Sequence, residues 1–121
     1  MSSKGAVALR VALAVSGAFC VVMGAGAAHG LSRILSESQL SWVETGVLYQ
    51  LLHLVAALSL FEKRRLTACL WLVGGWLFAG SLYCLAFFGS KWFGPITPIG
   101  GVIMIIGWLS LAWPIKSKIN E

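Results

Sequence analysis

The chain is 121 residues long, 59% hydrophobic and only 11% charged, against roughly 25% charged residues in soluble domains, so a water-soluble monomer is excluded. Its formal charge of +5 does not point to nucleic acid, because the nine Lys and Arg stand at the ends of apolar runs and not along one face. No nucleic-acid partner is expected; the lipid bilayer is.

After the polar start Ser2-Ser3-Lys4, the residues Val11 to Ala28 carry no charge, and a first span over 8–29 has the length to cross a bilayer at about 1.5 Å per residue. The same stretch mimics a signal peptide, with Lys4 and Arg10 before the apolar run and Ala25-Gly26-Ala27 as a small-residue cleavage site. The run exceeds the roughly 7–15 residues of such a segment, so the helix is read as retained. Gly24 and Ala28 give it a spacing that permits close helix contact.

Residues 31–44 mix Arg33, Glu37, Glu44 and four serines with Leu31, Ile34, Leu35, Leu40, Trp42 and Val43. That mixture predicts a connector or short amphipathic helix at the interface. The second span, 45–61, is the least apolar, with Gly46, Tyr49, Gln50, His53 and Ser59. At 17 residues it must cross nearly upright or begin in a protein-lined recess.

Glu62-Lys63-Arg64-Arg65 then opens an uncharged run of 24 residues, Leu66 to Gly89. A basic knot before so long a run reads as a cytoplasmic anchor feeding the third span, 66–89. Pro95 and Pro98 interrupt the next stretch. Pro98 suits a first helical turn with Thr97 as N-cap, which predicts a fourth span over 98–115. The chain is therefore expected to be an all-α, polytopic four-helix membrane bundle forming a single domain. With a cytoplasmic N-terminus, seven basic residues (Lys4, Arg10, Lys63, Arg64, Arg65, Lys116, Lys118) fall inside and two (Arg33, Lys91) outside. That bias predicts both termini in the cytoplasm.

This orientation gives each polar residue a depth. From the outer surface Gln50 lies about 8 Å and His53 about 12 Å down, and Tyr83 about 9 Å and Ser81 about 12 Å down the third span. Tyr49 and His53 share a helix face, His29 ends the first span on the outer side, and Thr97 starts the fourth there. The seven residues His29, Tyr49, Gln50, His53, Ser81, Tyr83 and Thr97 form the candidate polar cluster. Two readings of it stand open. It can be interhelical bonding that needs no substrate, or a binding or proton-handling site, in which His53 is the stronger candidate because an imidazole can change charge near neutral pH.

Glu37 and Glu44 read as solvated, and Trp71, Trp76, Trp108 and Trp113 as bilayer anchors and packing. Cys20, Cys69 and Cys84 read as small buried hydrophobes, with no metal-ligand spacing. No nucleophile elbow, phosphate loop or zinc-protease motif occurs. No catalytic residue, cofactor or metal is expected.

Four ordered motifs carry a resemblance. They are Gly24-Ala25-Gly26-Ala27-Ala28-His29-Gly30-Leu31; Thr45-Gly46-Val47-Leu48-Tyr49-Gln50-Leu51-Leu52-His53; Phe78-Ala79-Gly80-Ser81-Leu82-Tyr83; and Thr97-Pro98-Ile99-Gly100-Gly101 with Gly107-Trp108. Together they resemble the YgdD and YwdK type of small membrane proteins over most of the chain. This sequence departs from the usual Gly-Ala-Phe-Gly-Ala-His-Gly of that family before His29. The resemblance implies a four-helix protein of the bacterial inner membrane with no agreed activity and a retained first helix. It also groups the polar residues with the helix-packing glycines Gly24, Gly46, Gly80, Gly100 and Gly101 as one structural feature.

Two functions follow as expectations. The first is a non-enzymatic structural or accessory bundle that packs with lipid, with further copies as a homo-oligomer, or within a larger membrane complex. The alternative is a small carrier or proton-coupled transporter with its site around His53 and Gln50.

Overall fold

Lipid offers no partner for a backbone N–H or C=O, so uncharged runs of this length close their hydrogen bonds within themselves as helices. The computed structural model describes residues 3–115. Four helices account for most of them: α1 (Ser3–Ala28), α2 (Glu37–Leu60), α3 (Arg65–Phe88) and α4 (Ile96–Ser110). Each lies in a segment long and apolar enough to cross a membrane. No strand occurs among the described residues.

The helices alternate in direction. At one end the Arg10 guanidinium sits 5.8 Å from the centre of the Phe61 ring, and Arg64 donates to the Ser110 carbonyl at 3.0 Å. The start of α1, the end of α2, the start of α3 and the end of α4 thus share that end. Lys116 and Lys118, counted with it in the sequence, lie outside the described residues. In the bundle α3 packs on both α2 and α4 while α1 leans on α2; α3 is the most enclosed helix and α4 the least.

The connector expected over 31–44 is much shorter. Leu31–Arg33 form a single 3-10 turn and α2 already begins at Glu37. The cause is a capping box: Gln39 N–H donates to Ser36 Oγ at 3.2 Å, and Ser36 N–H donates to Gln39 Oε1 at 2.8 Å. Two of the orphan N–H groups at the helix start are thereby satisfied. With 24 residues α2 has no need to stand upright.

The fourth helix also differs from its expected bounds. It starts at Ile96 with Pro95 at the N-cap, so Pro98 is its third residue, where no intrahelical bond is lost. Thr97 does not cap it. Past Ser110, residues 111–113 turn out of the helix. At the end of α3, Gly89 takes φ +67° and its N–H returns to the Leu85 carbonyl, a left-handed stop that favours glycine.

The outside is apolar and the inside partly polar. Val11, Val22, Leu52, Val55, Ile99, Val102 and Leu109 are exposed, while Ser16, Gln50, His53, Thr67 and Ser81 are buried. This inversion suits a lipid surround, in which polar groups gain by turning inward.

Candidate polar site between the helices

The buried polar groups form separate bridges, the first two beside glycines that let their helices approach. Between α2 and α3, a Cβ on Gly46 would lie 2.8 Å from the Tyr83 ring, and Gly75 stands beside the Gln50 stem. The gap so made holds one hydrogen bond, Tyr83 Oη donating to Gln50 Oε1 at 2.9 Å. Gln50 is wholly buried. Its Nε2 has no partner among the described residues.

Between α3 and α4 the approach is closer. A Cβ on Gly100 would overlap the backbone nitrogen of Phe78 and lie 2.8 Å from the Gly74 carbonyl oxygen. Here the Ser81 and Thr97 hydroxyls meet at 2.5 Å, and Ser81 also donates to the Phe78 carbonyl at 2.8 Å. Ser81 has one proton, so in that arrangement Thr97 donates to Ser81. A matching pair closes the opposite end of the seam, Thr67 with Ser110 at 2.6 Å, and Ser110 with the Gly107 carbonyl at 2.6 Å.

His53 forms the third bridge, from α2 to α4. Trp108 Nε1 lies 2.9 Å from His53 Nε2, and His53 Nδ1 lies 2.6 Å from the Tyr49 carbonyl oxygen. An indole N–H can only donate, so Nε2 accepts and the proton of the neutral ring sits on Nδ1, donating to Tyr49. A second proton, on Nε2, would set two donors face to face. Trp71 lies against the pair, 4.6 Å from Trp108 and 6.0 Å from His53 between ring centres. It donates to the Met104 carbonyl at 3.2 Å, in room left by Gly107.

The expected single cluster is thus divided. Gln50 joins Tyr83, Ser81 joins Thr97, and His53 joins Trp108, while Tyr49 supplies a carbonyl and packs its ring on Phe78. His29 is exposed and joins none of the three pairs. Depth alone does not make neighbours: Tyr83 and Ser81 are two residues apart on α3, about 200° around the helix, and face different partners. Among the glycines, Gly46 and Gly100 lie at close approaches, and Gly24 comes near Val47 of α2. A Cβ on Gly80 would meet only its own helix, and one on Gly101 only an ordinary Phe78 contact.

Several participants escaped the sequence reading. Trp71 is 1% exposed, so of the two roles expected of it, anchor and packing, it takes the second. Trp108 is half exposed, yet it turns its N–H inward to His53. Trp76 donates to Ser16 at 2.8 Å, tying α3 to α1. The available signal was the indole itself, a large apolar body whose one polar atom must find an acceptor.

Chemically the arrangement holds helices together. No group of three or more His, Cys, Asp or Glu is placed to hold a metal among the described residues. A recess of about 290 Å³ beside His53, lined by Tyr49, Phe78, Met104, Ile105 and Trp108 among others, is nearly all apolar.

Comparison with known proteins gives a consistent result. The family model described as "Protein of unknown function (DUF423)" matches residues 23–101, a stretch that holds all of the expected cluster. A UPF0382 membrane protein of Haemophilus influenzae is 49% identical over 114 residues, covering 88% of this chain and 92% of that protein. The UPF0382 inner membrane protein YgdD of Escherichia coli K12 is 36% identical over 114 residues, 87% of each. A UPF0382 membrane protein of Staphylococcus aureus is 39% identical over 105 residues, 81% of this chain and 86% of its own. No solved structure matches.

Proposed function

The chain belongs to the DUF423 family of unknown function, a multi-pass protein of the inner membrane, and from that premise we propose that it is a non-enzymatic structural or accessory bundle. In this reading the buried polar residues bond helices to one another and handle no substrate. The observation that carries it is His53, whose two ring nitrogens are both engaged inside the bundle, by Trp108 and by the Tyr49 carbonyl. A proton carrier needs a nitrogen open to water; this imidazole keeps none for it. We propose further that both termini lie in the cytoplasm, since among the described residues five basic residues mark one end and Arg33 and Lys91 the other. The apolar outer faces leave room for further copies of the chain or for a larger membrane complex.

The carrier reading retains one supporting observation, the unpartnered Nε2 of Gln50. Native mass spectrometry of the wild type and of a His53→Leu, Gln50→Leu variant, with thermal melting of both, separates the two. Lipid alone bound to both, with a lower melting temperature in the variant, is the expected result. A discrete non-lipid mass lost from a folded variant would replace this reading with the carrier.

A further inference from the structure

Where α2 passes into α3 there is a second concavity, unlike the apolar recess beside His53. Lys63, Arg64, Arg65 and Thr67 face Ser110 and Trp113 across a recess of about 440 Å³. Three consecutive cations border it. Glu62, which precedes them in sequence, borders a neighbouring depression instead. The first turn of α3 holds no acidic residue, and its start has no side-chain cap, so the positive end of that helix opens here uncompensated.

The donors are only partly used. Arg64 gives one N–H to the Ser110 carbonyl, leaving the rest of a five-donor guanidinium. Arg65 Nε is buried and has no partner among the described residues, a costly state unless an acceptor arrives. The apolar lip fixes what kind of acceptor that is. Leu66 is 71% exposed and Trp113 79%, and both belong to the rim of the recess. An anion seated against Arg65 therefore has hydrocarbon beside it. An exposed Trp beside clustered Lys and Arg, at the end of membrane helices, is the chemistry of the headgroup layer.

We infer that this recess binds the phosphodiester of an anionic phospholipid, with Lys63 and Arg65 holding the phosphate and Leu66 and Trp113 lying along the first methylenes of its chains. The site is independent of whether the bridges at Gln50, Ser81 and His53 act as bonds or as a carrier, since none of those residues borders the recess; its Thr67 and Ser110 belong to the pair at the other end of the α3–α4 seam.

The test uses the full chain in a mild detergent, with phosphatidylglycerol, phosphatidylcholine or inorganic phosphate added, read by native mass spectrometry and by melting temperature. Phosphatidylglycerol is expected to stay bound and raise the melting temperature, while phosphatidylcholine and inorganic phosphate do neither. Lys63→Gln with Arg65→Gln is expected to weaken that retention about thirtyfold, at roughly fivefold per basic residue. Lys63→Gln alone, at an exposed position, should weaken it several-fold, and it serves if the double variant fails to fold. An Arg33→Gln, Lys91→Gln control removes the same charge from the opposite end and should leave retention unchanged. Equal loss in that control, equal retention of both lipids, unaltered retention in folded Lys63→Gln, or stabilisation by inorganic phosphate alone would each overturn the assignment.

Discussion

Along the seam of α3 and α4 two backbones touch; where α1 meets α3, only side chains do. Gly100 has no room for a Cβ against Phe78 and Gly74. By contrast, α1 reaches α3 through Phe19, whose ring centre lies 5.0 Å from Trp76 and 5.7 Å from Tyr83, and through the Trp76 indole on Ser16. Between these two helices an apolar cleft of about 430 Å³ remains, lined by Val15, Val73 and Leu77 among others. The difference shows what holds helices together in hydrocarbon. Burying Leu against Leu gains little when lipid is equally apolar, so affinity comes from approach closer than an acyl chain can make and from polar pairs.

Substitutions can break or sharpen this contrast, read as unfolding free energy in an SDS titration followed by circular dichroism. Gly100→Ala should cost most, about 3 kcal/mol, because backbone cannot yield to the new methyl and the seam must part. His53→Leu comes next at about 1.5 kcal/mol, since it leaves the Trp108 N–H without its acceptor. Trp76→Phe should cost about 0.6 kcal/mol, the average for an interhelical hydrogen bond in a membrane. If it cost as much as Gly100→Ala, the distinction between seam and edge would fall. Smallest is Gly80→Ala, where nothing but the helix's own Trp76 comes within 4 Å of the added methyl. It should be neutral, or stabilising by up to about 1 kcal/mol through helix propensity.

How much of this was legible follows from the kind of quantity involved. Four apolar runs and the punctuation between them are local, and they gave the helices in order. Height along a helix is linear in sequence, which is why Gln50 and Tyr83 could be set at one depth and do meet. Azimuth was not legible. These helices are apolar nearly all round, so no stripe says which face of α3 turns to α2 and which to α4; Ser81 and Tyr83 parted for that reason. Trp108 read only as anchor and packing because a large ring is what composition registers, while its single N–H decides its partner. The Ser36 and Gln39 box was present in the sequence and passed over, because charged Glu37 and Glu44 suggested an interface where a helix had already started.

The helices also differ in reach. α1 has 26 residues and α4 has 15, or about 39 Å against about 22 Å of rise. A hydrocarbon core of about 30 Å cannot match both. In α1 the uncharged part, Val11 to Ala28, rises about 27 Å and fits that core, with Lys4 and Arg10 left at the headgroups, whereas lipid beside α4 meets a deficit. Since α1 leans on α2 and α4 packs on α3, the protein carries a wedge-shaped annulus of lipid, thinner on one flank, and sets a gradient of bilayer thickness across its own width.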